Sequence, residues 1–386
     1  MSRPLLFTPI SVRDLELKNR VVIAPMHQYS AKNGFATDWH LMNAGRYAAG
    51  GAGLVCVEST KVSREGCGTV GDLGLWRDEH IDSVRRIREL IHHCGARAGI
   101  QLGHSGRKSR LTRPWEGGRP LTIDDVDPVA DEWDTWELVG PSAIPADKRS
   151  PTPRALTRAE VHGLVEAWGA AAERADAAGF DMVEVHGAHG YLIHQFLSEH
   201  ANQRSDEYGG SFENRMRFAI EVAEHVRSKW PARKPLFMRL SVVDAAGWGL
   251  EHSVALAREL GRVGVDVIDC SGGGIQAGAG VGARPDYGYQ VPYAEGLKRD
   301  AGVRTMAVGV IVHARQAEAI LQEGRADLVA LAREALYNPN WPVDAARKLG
   351  VADHFEMIPP NYGWWLGKRE GIPGFVPSTF GDSPQA

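Results

Sequence analysis

The chain has 386 residues, 43% hydrophobic and 24% charged, a balance that excludes wholesale disorder and suits one large α/β domain. A formal net charge of −4 gives no electrostatic case for a nucleic acid or an anionic membrane as partner, and no apolar run approaches the ~18 residues of a membrane span. Cys56, Cys67, Cys94 and Cys270 are too widely spaced for a CxxC metal or cluster motif, and read as reduced thiols of a cytoplasmic protein.

In chain order, residues 7–17 alternate apolar and polar like a hairpin that could plug one end of a larger fold. Eight short apolar runs follow: Val21–Ala24, Leu54–Val57, Ala98–Leu102, Met182–Val185, Leu236–Leu240, Val265–Ile268, Thr305–Val308 and Leu328–Leu331. Between them lie stretches with helical spacing, such as Ile81–Ile91, Leu164–Ala178 and Ser253–Val263. Continuously apolar runs suit strands buried on both faces, and their alternation with helices predicts a parallel sheet. Eight units predict a closed (β/α)8 TIM barrel with an N-terminal hairpin. Residues 104–155 form a long Trp-, Pro- and Asp-containing insertion after the third run, a length usual for a lid or partner contact. The reading is one barrel domain over 1–366, with a loosely ordered tail over 367–386.

Catalytic groups of such barrels project from the carboxyl ends of the strands. The residues there are Pro25-Met26-His27 with Tyr29, Glu58 and Ser59, Gln101, His186 to Tyr191, Arg239, Ser271 followed by glycines, Gly309 and Arg333. Gly309 and Arg333 follow runs seven and eight, a common phosphate position, although a capping glycine and a surface arginine would look the same singly. Arg239 ends an apolar run and must meet either an anionic ligand or a buried carboxylate. His186 and His189 can aim two N–H donors at one oxygen, with Tyr191 nearby as a proton donor. A zinc site of His186, His189 and His194 and a plain packing role are the alternatives. Gly278 to Ala283 matches a GxGxxA dinucleotide fingerprint, but Arg284-Pro285 follows in place of a helix, so the segment reads as a loop.

Longer strings carry a resemblance. Leu17-Lys18-Asn19-Arg20-Val21, Ala24-Pro25-Met26, Gly99 to Leu102, Gly103-His104-Ser105-Gly106-Arg107-Lys108, Gly179-Phe180-Asp181, His186 to Tyr191 and Arg204 to Ser211 resemble the Old Yellow Enzyme family of FMN-dependent ene-reductases. Arg113-Pro114-Trp115-Glu116-Gly117 points to the branch that contains the xenobiotic reductases. The resemblance implies tightly bound, non-covalent FMN, reduced by NADPH or NADH. Ala24, Pro25, Met26 and His27 would line its reactive edge, with Ser59 and Gln101 on the pyrimidine side. Arg239 would face the negative charge of the reduced ring, and Gly309, Ala332 and Arg333 would hold the phosphate. His186, His189 and Tyr29 would bind the carbonyl of an α,β-unsaturated substrate, and Tyr191 would protonate its α-carbon in a ping-pong reaction. An FMN enzyme of the same fold running an oxidative demethylation or desaturation is the alternative.

Two features depart from the branch. His27 stands where a cysteine is usual, and a protonated imidazole there would make the flavin potential pH-dependent, whereas a neutral one would only donate a hydrogen bond. Tyr362-Gly363-Trp364-Trp365-Leu366 resembles a segment that relatives pass to a neighbouring subunit, which implies a homodimer or homotetramer with Trp365, or Trp364, over a partner's substrate cleft. An aromatic pair packed on its own subunit is the alternative.

Overall fold

The computed structural model describes residues 3–276 and 286–376. Twelve strands occur among them: β1 Ile10–Val12, β2 Leu15–Leu17, β3 Val21–Ile23, β4 Leu54–Lys61, β5 Arg97–Gly103, β6 Val139–Gly140, β7 Arg154–Ala155, β8 Met182–Gly187, β9 Leu236–Ser241, β10 Val267–Ser271, β11 Arg304–Ala307 and β12 Leu328–Leu331. β3, β4, β5, β8, β9, β10, β11 and β12 close into a parallel barrel in that order, and each coincides with one of the eight apolar runs. Every residue of β3, β4, β8, β9, β10 and β12 is buried, because one face meets the barrel interior and the other the surrounding helices.

The helices form where local signals agree with packing. Ile81–His93 turns Val84, Ile87 and Ile91 to the sheet. Arg158–Ala177 starts at Thr157, whose hydroxyl accepts from Glu160 N while the Glu160 carboxylate accepts from Thr157 N at 2.7 Å, a reciprocal cap that typically contributes about 1 kcal/mol. β1 and β2 form the expected antiparallel hairpin, and Val12, Leu15 and Leu17 cluster with Val22, Leu54 and Leu328 of the barrel, so the hairpin closes the end away from the mouth.

The insertion between β5 and β8 holds short 3-10 turns and the two-residue pair β6–β7. The helix Pro360–Glu370 runs past residue 366, where the sequence suggests the start of a loose tail; its capping comes from backbone groups that composition does not reveal. The GxGxxA match lies outside the described residues.

Three strand elongations matter for the site. β4 continues four residues beyond the predicted run, to Lys61, because it stays paired with β5 as far as Gly103 and also meets the segment after Asp72: Lys61 N donates to Leu73 O and Leu75 N to Lys61 O, both at 2.8 Å. The β4–β5 register slips between Val57 and Ser59. That irregularity lets Glu58 turn to His40, 3.2 Å away, while the Ser59 hydroxyl meets Lys61. β8 and β10 likewise run on to Gly187 and Ser271.

Parallel register also builds a polar layer inside the barrel. Gln101 lies beside Glu184, and Arg239 beside Asp269. Gln101 Nε2 donates to Glu184 Oε1 at 2.7 Å, and Arg239 Nε stands 3.1 Å from Asp269 Oδ2. Two carboxyls thus share one guanidinium in a buried layer. Burial and then the Asp269 charge push the Glu184 carboxyl upward, and burial raises Asp269 against the pull of Arg239. A carboxyl raised in the folded state stabilises most at low pH, and that contribution is lost as pH rises through the folded-state value. Wild-type stability should therefore decline with pH above the ordinary carboxylate range, by at most about 1.4 kcal/mol per pH unit for one proton. Glu184→Gln should flatten that decline in denaturant titrations run across the range; parallel curves for the two proteins would refute it.

Candidate active site

His186 is the penultimate residue of β8 and Tyr191 leads into the short helix Leu192–Leu197, so the strand end and the loop after it carry the expected donor residues together. The His186 and His189 rings are edge-on with centroids 5.2 Å apart, and the Tyr191 ring is 4.8 Å from His186. Burial holds both imidazoles well below their ordinary range, with mutual repulsion next for His186 and the Arg239 charge next for His189; both are neutral at pH 7. A backbone hydrogen bond assigns the His186 proton. Ala188 N donates to His186 Nδ1 at 3.2 Å, leaving Nε2–H as the free donor. His189 Nε2 lies 2.7 Å from Ser271 Oγ, which also accepts from Gln290 Nε2; a hydroxyl both donates and accepts, so this contact suits either neutral tautomer of His189. Each neutral ring thus carries one N–H donor, and that of His186 is on Nε2.

The loop is braced from behind. Gly190 N donates to His194 Nδ1 at 2.9 Å, and the opposite His194 nitrogen meets Asp244 Oδ2 at 3.2 Å with both side chains fully buried. His194 therefore holds the backbone that carries His189 and Tyr191, which is not the ligand role of the zinc alternative. His189 itself has a left-handed φ of 59°, and Tyr29 one of 54°, conformations that cost non-glycine residues of order 1 kcal/mol or more each and concentrate where function demands them.

Across the mouth, Tyr29 stacks on His27 at 5.4 Å and meets Trp115 of the insertion edge-on at 5.5 Å. His27 lies 6.0 Å from the Tyr191 ring. Burial raises the Tyr29 phenol to about 12 and lifts Tyr191 further, so both keep their protons through the physiological range. Burial, then the neighbouring Lys61 charge, lowers His27 to about 4. Of the two readings for His27, this favours the neutral imidazole that donates a hydrogen bond over the protonated one, since burial and an ammonium 3.1 Å from Nε2 both disfavour a second positive charge.

A cleft of about 930 Å³ opens beside this group. Arg239, Ser271, Gly309, Ala332 and Arg333 line it, together with His189 and Lys108. Arg239 meets the buried carboxylate that its sequence position left open, Asp269, and also lines the cleft. Gly309 has φ of 112°, a conformation that side-chain-bearing residues rarely adopt, and Val310 follows at 51°; this bend after β11 brings backbone to the cleft wall. Two guanidiniums, a hydroxyl and exposed backbone form a donor set suited to a phosphate-bearing ligand with an electron-rich ring. Ala24 and Ser59 are buried at the mouth, Gln101 is buried in the interior layer, and Pro25 and Met26 are half-buried. Trp365 stands apart from these groups: the Trp364–Trp365 pair is edge-on at 4.5 Å on the helix Pro360–Glu370, 57% and 69% exposed, and so is not packed into its own subunit.

Sequence reasoning missed two lysines. Lys61 is wholly buried, with its ammonium 5.1 Å from the Tyr191 ring centroid; Lys108, whose Nζ donates to His189 O at 2.8 Å and to Gly274 O, is 5.9 Å from the same ring. Burial and then Arg107 lower Lys108 to about 8. Lys108 lies inside a matched string, but Lys61 falls past the end of an apolar run and carries no local signal.

Comparison with known proteins agrees with this arrangement. Residues 5–351 match the model of the NADH:flavin oxidoreductase / NADH oxidase family. An NADPH dehydrogenase of Geobacillus sp. (strain WCH70) is 43% identical over 351 residues, covering 90% of this chain and 95% of the relative. Morphinone reductase in complex with tetrahydroNAD superposes with a TM-score of 0.72 at 29% identity, covering 90% of this chain and 92% of the other. A 2-naphthoyl-CoA reductase complex gives 0.79 at 27% identity over 89% of this chain, which spans only 52% of that longer protein. With a closed parallel barrel, a cationic cleft at its mouth and a match over nearly its whole length, the chain belongs to the NADH:flavin oxidoreductase / NADH oxidase family, as an NAD(P)H-dependent flavin oxidoreductase that uses FMN.

Proposed function

We propose that this enzyme reduces the activated C=C bond of α,β-unsaturated carbonyl compounds such as enones, enals, maleimides and quinones. The observation that carries this reading is the pair of neutral His186 and His189 rings with centroids 5.2 Å apart, His186 with a free Nε2–H, beside a Tyr191 phenol that keeps its proton. Two neutral donors polarise a carbonyl without giving up a proton, which makes the β-carbon electrophilic. The Tyr191 O–H supplies the proton for the α-carbon, and Tyr29 walls the opposite side.

FMN, when bound, supplies the hydride that it receives from the nicotinamide. The residues suited to hold it are Arg239, Gln101 and Ser59 for the ring's polar side, and Gly309, Ala332 and Arg333 for its phosphate. Ala24, Pro25, Met26 and His27 would bound the reactive edge. Arg239 contributes a charge that its buried partner Asp269 keeps in place. The hydride chemistry belongs to the cofactor; the chain orients it, polarises the substrate and delivers a proton.

The exposed Trp364–Trp365 pair supports the reading of a homodimer or homotetramer in which Trp365 reaches a neighbour's substrate cleft. The four cysteines are free, in keeping with a cytoplasmic location, and no helix among the described residues is long and apolar enough to cross a membrane.

The first test is spectroscopic. NADPH added without oxygen should bleach the flavin absorbance, and cyclohexenone should restore it; bleaching without recovery would favour the oxidative demethylation or desaturation reading. Tyr191→Phe should leave bleaching by NADPH intact and slow recovery with the enone by about 10² or more, the usual range for losing a general acid. Equal recovery rates in the two proteins would remove Tyr191 from the proton-donor role. Trp365→Ala should raise KM for the enone or weaken assembly in sedimentation, and a variant unchanged in both would sink the shared-cleft reading.

A further inference from the structure

Lys61 is among the larger fully buried side chains, and its ammonium has three neighbours: His27 Nε2 at 3.1 Å, Ser59 Oγ at 3.1 Å and Asp72 Oδ2 at 3.5 Å. An ammonium has three protons and no lone pair, so it can only donate. Asp72 is anchored as the anion of this group. Its carboxylate accepts from Gly68 N at 2.7 Å and Thr69 Oγ1 at 2.8 Å, and although burial works against ionisation, Lys61, His27 and these bonds hold it below its usual range. The backbone pairing of Lys61 with Leu73 and Leu75 fixes the segment that carries Asp72. The ammonium is thus paired, hydrogen-bonded and aimed at one nitrogen of the His27 ring.

We propose that Lys61 is a positioning residue: by donating to His27 Nε2 it locks the imidazole in the Nδ1–H form and makes His27 a fixed, neutral hydrogen-bond donor at the mouth of the barrel. Nε2 is occupied as an acceptor, while Nδ1 has no partner among the described residues and its proton is available to whatever occupies the mouth. The groups facing His27 agree with a ring that does not charge. Lys61 and Ser59 approach from β4, Asp72 lies beyond Lys61, Tyr29 stacks on one face, Tyr191 meets it edge-on, and His186 and His189 stand behind Tyr191 as neutral rings. The only anion in that set is the one already paired to Lys61. Only the redox consequence, an absence of His27 titration from the flavin potential, rests on the proposed location of FMN.

The test reads the histidine ring directly. In the FMN-loaded enzyme labelled with nitrogen-15 in histidine, two-bond proton–nitrogen correlation spectra should show His27 as the Nδ1–H tautomer. Its signal should stay constant between about pH 5 and 8, where an ordinary histidine changes charge. His27→Cys identifies the signal by its loss. Lys61→Met alone leaves Asp72 buried without its cation and risks the fold, so the double variant Lys61→Met, Asp72→Asn removes the pair together. In that variant His27 should populate both tautomers and titrate nearer the ordinary value of about 6.5, and the flavin midpoint potential should gain an inflection at the same pH. A wild-type His27 found as Nε2–H, or titrating near neutrality, would overturn the proposal. So would an Nδ1–H form that persists unchanged in the double variant. None of these signals depends on enone turnover, so failure of the proposed reaction and failure of this inference are separately visible.

Discussion

The Arg239 guanidinium is held largely buried at the inside of the barrel, and the buried Asp269 carboxylate beside it makes that possible. An unpaired cation there would carry a desolvation cost of several kcal/mol, and a fully neutralised one would offer little to an anionic ligand. The structure sits between these limits. Glu184 shares the layer but is pushed towards its neutral form, so the layer keeps about one carboxylate for one guanidinium, and Arg239 can still face the cleft. Gln101, tied to Glu184, inherits its orientation from the same balance.

The same economy recurs at the mouth. His186, His189 and His27 are all kept neutral by burial and nearby cations, so the imidazoles serve as oriented donors and not as charges. Fixed charge is supplied separately, by Lys61 and Lys108 on either side of Tyr191 and by Arg239 deeper in. A site built from neutral donors and fixed cations has its electrostatics set before any ligand arrives, which lowers the reorganisation needed when charge develops. The left-handed backbone at Tyr29, His189 and Val310 shows that part of the fold's stability is given up to hold these groups in place.

Much of this was legible along the chain. The eight apolar runs announced eight strands because a strand buried on both faces has no polar side to display, and glycine- and proline-marked turns separated them from helices with clear apolar periodicity. The residues after those runs, from Pro25 to Arg333, come together at one end of the barrel, since in a parallel barrel every strand delivers its carboxyl end to the same side.

Other features depended on closure. Lys61 belongs to β4 because it pairs with Gly103 of β5 and with the segment after Asp72, and a charged residue past an apolar run looks like solvent-exposed loop until those pairings exist. The Arg239–Asp269 and Gln101–Glu184 pairs follow from strand register, which the runs do not encode individually. The neutral state of His27 follows from burial and from a cation brought to 3.1 Å by folding, and the sequence shows only a titratable side chain. Periodicity and composition determined the strands, helices and barrel class, because these depend on each segment's own burial; tertiary structure decided the partners, charges and tautomers, because those are set by neighbours distant in the chain.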